Sequence, residues 1–128
     1  MARRPETSLQ IVVAQFLDYA LPPGAIWTAI DAGATKLTPQ QADLQRRRGI
    51  KPHWPDVLIL YQGKLCGIEL KAKQGRLGDE QEALGMAIIA AGGDWFEARS
   101  IADIERTLRN YGFKLRATEG TRFERRTA

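Results

Sequence analysis

The chain predicts an α/β fold, a mixed β-sheet flanked by helices. Three observations lead there. Helical and extended apolar periodicities follow one another in the order α, β, short α, β, β, α, β, α. The stretch PDVLILYQGKLCGIELKAK, residues 55–73, folds back on itself through a Gln-Gly pair as an antiparallel hairpin. Residues 65–98 form a strand, helix, strand unit, which requires a parallel pair joined by a right-handed crossover.

The first helix covers residues 6–20, where Leu9, Val12, Val13, Phe16, Leu17 and Ala20 recur at steps of three and four, and Pro5 suits its first position. LPPG at 21–24 stops it, and AIWTAI at 25–30 reads as a short strand. TPQQADLQRRRG gives a short polar helix with Thr38 as cap, Pro39 first and Gly49 at its end. Strands at 56–61 and 65–71 follow. A helix then runs from about Asp79, with Glu82 completing a capping box, to the glycine pair at 92 and 93. DWFEA is a strand. Ser100 and Asp103 cap a last helix whose Ile101, Ile104 and Leu108 share a face before Gly112 ends it. The chain divides into one domain over residues 1–112 and a basic, frayed tail over 113–128.

At 128 residues, 44% of them hydrophobic, one core is expected without disulfides. The composition excludes general disorder, and no stretch reaches the roughly 20 apolar residues of a membrane span. MARRPET lacks the apolar segment of a signal peptide, so the expected location is cytoplasmic. The lone Cys66 sits in an apolar strand and reads as a buried thiol. Net charge is +4, with +3 in residues 1–55, −2 in 56–112 and +3 in 113–128. Basic flanks around an acidic centre suit a polyanion such as nucleic acid. QRRRGIK offers Arg46, Arg47, Arg48 and Lys51 as backbone contacts, although solvated basic residues are the commoner case.

Centring the turn on Gln62 and Gly63 makes facing pairs sum to 125, so Asp56 faces Glu69. Alternation puts Asp56, Leu58, Leu60, Leu65, Gly67, Glu69 and Lys71 on one face and Val57, Ile59, Tyr61, Cys66, Ile68 and Leu70 on the other. Both faces are largely apolar, which makes the hairpin central and its charged end partly desolvated. Facing carboxylates with Cβ atoms about 5 Å apart repel. Protonation of one, a bridge through Lys71 or a divalent cation would each offset that. Any one of these residues alone reads as a solvated salt bridge; their convergence favours the cation. Two carboxylates, a carbonyl and waters make the hard oxygen shell of Mg²⁺, and the chain has no Cys or His cluster for zinc.

PD, twelve positions, then ELK resembles the PD-(D/E)xK nuclease core. With GIELKAKQGRLGDEQ, AAGGDWFEARS and IADIERTL, the match narrows to the VRR-NUC (virus-type replication-repair nuclease) family, over about residues 6–112. The resemblance implies a restriction-endonuclease-like αβββαβ core and a Mg²⁺- or Mn²⁺-dependent DNA nuclease. Asp56 and Glu69 would hold the metal, with the Leu70 (or Ile68) carbonyl as a further ligand. Lys71 would act electrostatically at the phosphate, Gln81 and Glu6 would complete the site, and Lys73 would reach toward phosphate. Small members of this group resemble Holliday junction resolvases, which implies a structure-selective endonuclease for branched DNA working as a homodimer. The alternative is a non-catalytic nucleic-acid-binding module on the same fold. Many relatives carry glycine where this chain has His53, and many a serine cap where it has Gly78.

Overall fold

The computed structural model describes residues 5–30 and 37–118. Its elements are α1 (Pro5–Ala20), β1 (Ile26–Ala29), α2 (Pro39–Arg47), β2 (Val57–Tyr61), β3 (Lys64–Leu70), α3 (Asp79–Ala90), β4 (Asp94–Ala98) and α4 (Ile101–Asn110). The element order matches the sequence reading. The four strands lie in the order β1-β2-β3-β4, antiparallel between the first three and parallel between β3 and β4. The sheet is therefore mixed, with the hairpin at its centre.

The turn fixes the register. Gln62 and Gly63 both adopt positive φ, 52° and 77°, the pattern of a type I′ turn whose twist matches that of the strands. Val57 pairs with Ile68 and Tyr61 with Lys64, each pair summing to 125 as expected. A slip of one residue would have turned every side chain over.

One face of the sheet carries the core. Val57, Ile59, Cys66, Ile68, Leu70, Phe96 and Ala98 are buried together with Val13, Leu17 and Leu21 of the first helix and its end, and Ile104 and Leu108 of α4. Val12, expected on the buried stripe of α1, is 49% exposed, whereas Val13, Leu17 and Ala20 of the same stripe are buried as expected. The other face meets α3. There Gly85 lies so close to the indole of Trp95 that a Cβ would come within 2.2 Å of the ring, and a Cβ on Gly67 would meet the Pro55 ring at 2.7 Å. Glycine at these two positions sets how near the helix and the PD loop sit to the strands. α3 leaves the β1–β2 side of this face open, where Ile26 and Leu60 are exposed.

The helix ends show where local sequence rules held and where they did not. Thr38 caps α2 with a reciprocal box through Gln41, and Gly49 follows with φ 85°. α3 starts differently from the expected Asp79–Glu82 box. Its cap is Gly78, which has no side chain to offer, and only the return half exists: Gln81 Oε1 accepts from the Gly78 N–H at 3.0 Å. Ser100 Oγ accepts from the Asp103 N–H at 3.1 Å, while Asp103 Oδ2 accepts from the N–H of Arg99, not of the cap residue.

The expected frayed tail is corrected over its first part. Phe113 and Ala117 are buried, Leu115 packs on the core, and the Phe113 ring stacks on Tyr61 at 5.1 Å. Arg116 donates its backbone N–H to the Ala20 carbonyl and Nε to that of Leu21, both at 2.7 Å. Two orphan carbonyls at the end of α1 gain donors this way, which an unpatterned basic sequence does not announce. Residues 119–128 lie outside the described residues. No helix among the described residues is long and apolar enough to cross a membrane.

Candidate metal and phosphodiester site

The site stands where β2 begins and β3 ends. Asp56 immediately precedes β2, opposite Glu69 in the register that the hairpin sets. Its Oδ2 accepts from the Leu70 N–H at 2.7 Å, so its carboxylate reaches across to the backbone beside Glu69. The Asp56 carbonyl accepts from the Ile30 N–H at 2.8 Å, which ties the PD loop to the end of β1.

Glu69 is 2% exposed, an extreme position for a carboxylate. Gln81 accounts for part of its stability there: Nε2 donates to Glu69 Oε1 at 2.9 Å. The same amide caps its own helix through Oε1, so one side chain is gripped at both ends and its donor can point only at Glu69. The family resemblance set Gln81 at the site, and the structure turns its amide toward Glu69. Lys71 is also buried, 8% exposed, and its N–H donates to the Ala98 carbonyl at 3.0 Å, extending the parallel pairing one residue past β3.

The chemistry of this donor set fits a hard dication. A carboxylate offers about four acceptor positions, and the Leu70 and Gln81 donors orient Asp56 and Glu69 without using them all. The neighbouring ligand type is oxygen throughout, and the ammonium of Lys71 springs from the same strand end. Among the described residues no three His, Cys, Asp or Glu side chains form a group that could hold a metal. The third acid expected, Glu6, has its side chain outside the described residues.

Other expected contacts spread more widely. Lys73 is exposed just beyond the site. Arg46 and Arg47 both ion-pair with Asp43 on α2, a helix that buries none of its residues, and Arg48 and Lys51 are exposed near its end. Nothing in the fold draws these four into the acid pair.

Two residues that sequence reasoning passed over, Glu97 and Arg99, belong here. Glu97 is the cross-strand partner of Glu69 on the same face. Its carboxylate is held by Arg99, whose Nη1 also donates to the Ala72 carbonyl at 2.5 Å and the Lys73 carbonyl at 3.3 Å. His53 has φ 69°, a conformation that glycine adopts easily and a histidine does not, and its Nε2 pairs with Glu80 Oε2 at 2.7 Å. The only available sequence signal was the glycine of the resembled family at position 53. Trp54 is half-buried and lines a groove of about 380 Å³ with Leu84 and Ile88 of α3.

Burial pushes the Cys66 thiol up to about 12, with the nearby Asp94 carboxylate adding to the shift, so Cys66 is no nucleophile. No family model matches this chain, and no curated protein matches it. A solved structure described as a VRR_NUC domain protein is similar, with a TM-score of 0.57 and 18% identity over 88% of this chain and 91% of that one. The chain shares the fold of that protein across nearly its whole length.

Proposed function

We propose that this chain is a VRR-NUC nuclease that hydrolyses phosphodiester bonds in DNA with Mg²⁺ or Mn²⁺. The observation that carries the reading is a buried Glu69, gripped by Gln81, beside an Asp56 carboxylate that the strand register brings to the same end of the sheet. A carboxylate this deeply buried is costly, and two together repel both each other and DNA. A cation removes both penalties.

Asp56, Glu69 and the Leu70 carbonyl would hold the metal in this proposal, and Glu6 would help complete the site. When bound, the ion polarises the phosphoryl group and lowers the pKa of a water. Lys71 neutralises charge that develops on the phosphate; beside two acids its ammonium is favoured, which suits an electrostatic role better than that of a base. Gln81 keeps Glu69 in its ligating orientation. Lys73 and the arginines of α2 meet the DNA backbone, a contribution that weakens as salt rises. A homodimer would set two such sites on a branched DNA, and the protein would act in the cytoplasm.

The test is cleavage of labelled four-way, flapped, nicked and duplex DNA with Mg²⁺, Mn²⁺ or chelator, using wild type and Glu69→Ala. The expected result is metal-dependent cleavage by wild type, greatest on a branched substrate, and DNA binding without cleavage by the variant. Equal cleavage by both proteins would remove the assignment of the site.

A further inference from the structure

We infer that Arg99 is a positioning residue for this reaction, fixing the chain that leaves Lys71 and drawing Glu97 away from the lysine. The inference rests on the nuclease reading above. A lysine ammonium ends four methylenes from its backbone, so its placement depends on how firmly that backbone is held. β3 stops at Leu70, the Lys71 N–H makes one further ladder bond to Ala98, and residues 72–78 belong to no strand or helix. Arg99, the residue after Ala98, carries the hold from β4 past this last ladder bond. Its Nη1 donates to the carbonyls of both Ala72 and Lys73, the two residues directly after Lys71.

Arg99 is itself anchored. Its N–H donates to Asp103 Oδ2 at 2.9 Å, and Asp103 is held in turn by the Ser100 cap of α4. The first turn of α4 thus fixes Arg99, and Arg99 fixes the strand exit. The other arm of the guanidinium, Nη2, pairs with Glu97. Glu97 stands across from Glu69 on the same face, so without a cation of its own it would add a third carboxylate competing for the Lys71 ammonium. A planar fork with separate donors on its two arms can meet carbonyls on one side and a carboxylate on the other. Lysine cannot.

Steady-state cleavage and amide exchange on wild type, Arg99→Ala and Arg99→Lys test this. For Arg99→Ala, kcat is expected to fall at least tenfold with KM for DNA within twofold, and millimolar guanidinium to restore part of the rate. Arg99→Lys, which keeps the charge and safeguards the test should the alanine variant not fold, is expected to lose at least threefold. In the metal-free proteins, amides of residues 72–75 should exchange at least tenfold faster in both variants, with those of Val13 and Ile59 unchanged. A rise in KM at constant kcat would make Arg99 a phosphate contact and overturn the inference, as would unchanged exchange at 72–75. If wild type cleaves and both variants stay within twofold of its kcat, this inference alone fails. If wild type leaves every DNA intact, the nuclease reading fails and takes this one with it.

Discussion

Gln81 Nε2 lies 2.9 Å from Glu69 Oε1, and the other end of the same amide accepts the Gly78 N–H. The start of α3 and the acid at the end of β3 therefore share one side chain. A hydrogen bond to an ionised group contributes about 1.5 to 3 kcal/mol. Gln81→Ala is expected to lower kcat roughly 10- to 100-fold and to raise the Mg²⁺ concentration needed for half-maximal rate. Gln81→Glu, which sets a further carboxylate directly against Glu69, should be worse than Gln81→Ala at pH 7. Metal titration of the rate on a single DNA substrate checks both.

Gly85 admits no side chain. A Cβ there would overlap the Trp95 indole, a ring wall rather than a flexible tip. Gly85→Ala must push α3 outward, an overpacking cost of about 1 to 3 kcal/mol. Urea unfolding should show a lower midpoint with an unchanged m-value. Because Gln81 rides on the same helix, the variant should also lose activity beyond its loss of stability.

The strained backbone at His53 separates two kinds of replacement. Its pair with Glu80 joins a 41% exposed imidazole to a 76% exposed carboxylate, so it contributes about 1 kcal/mol or less. The φ of 69° costs a non-glycine residue about 1 kcal/mol or more. His53→Gly should therefore be about 1 kcal/mol more stable than His53→Ala, although both lose the pair. Chemical denaturation of the two variants decides this.

Asp103 ties acid stability to the Arg99 junction. The Arg99 N–H lowers its pKa, with Arg106 and Ser100 adding to the effect against some desolvation. An acid whose folded pKa is depressed adds stability above its unfolded value, near 3.8, and loses it as pH falls through the lower folded value. Asp103→Asn should thus flatten the fall of Tm below about pH 4. Thermal melts between pH 2.5 and about 7 test the slope.

Cys66 behaves oppositely. Its raised thiol pKa keeps it neutral in the folded chain, while the unfolded thiol ionises from about 9.0, so its contribution is present below that value and lost as pH climbs toward about 12. Iodoacetamide at pH 8 should leave the native thiol unmodified over hours and alkylate it completely in denaturant, as read by intact mass.

Much of this was legible in the residues. The Gln62–Gly63 turn pinned the hairpin register, and with it the meeting of Asp56 and Glu69, because a period-two pattern admits no half measures. The strand and helix order followed from apolar spacing and from caps such as Thr38 and Ser100. What escaped were contacts between segments distant in sequence. Arg99 meets carbonyls 26 and 27 residues away, and Arg116 meets one 95 residues away; neither bond leaves a trace in spacing or composition. Gln81 lay between the two cases: only family resemblance distinguished it from an ordinary surface glutamine, and only the glycine cap at 78 explains why its amide is held so firmly.

Arg116 and the Tyr61–Phe113 stack also give the molecule two unlike poles. Tyr61 closes the hairpin at the end of β2 away from Asp56, and five residue steps along the strand separate them, roughly 17 Å. Cargo attached at the clasped pole begins a strand's length from the acids. Lys114→Cys would place an exposed thiol there while Cys66 stays shielded, so a maleimide dye could report DNA docking by energy transfer and leave the chemistry at the far pole undisturbed.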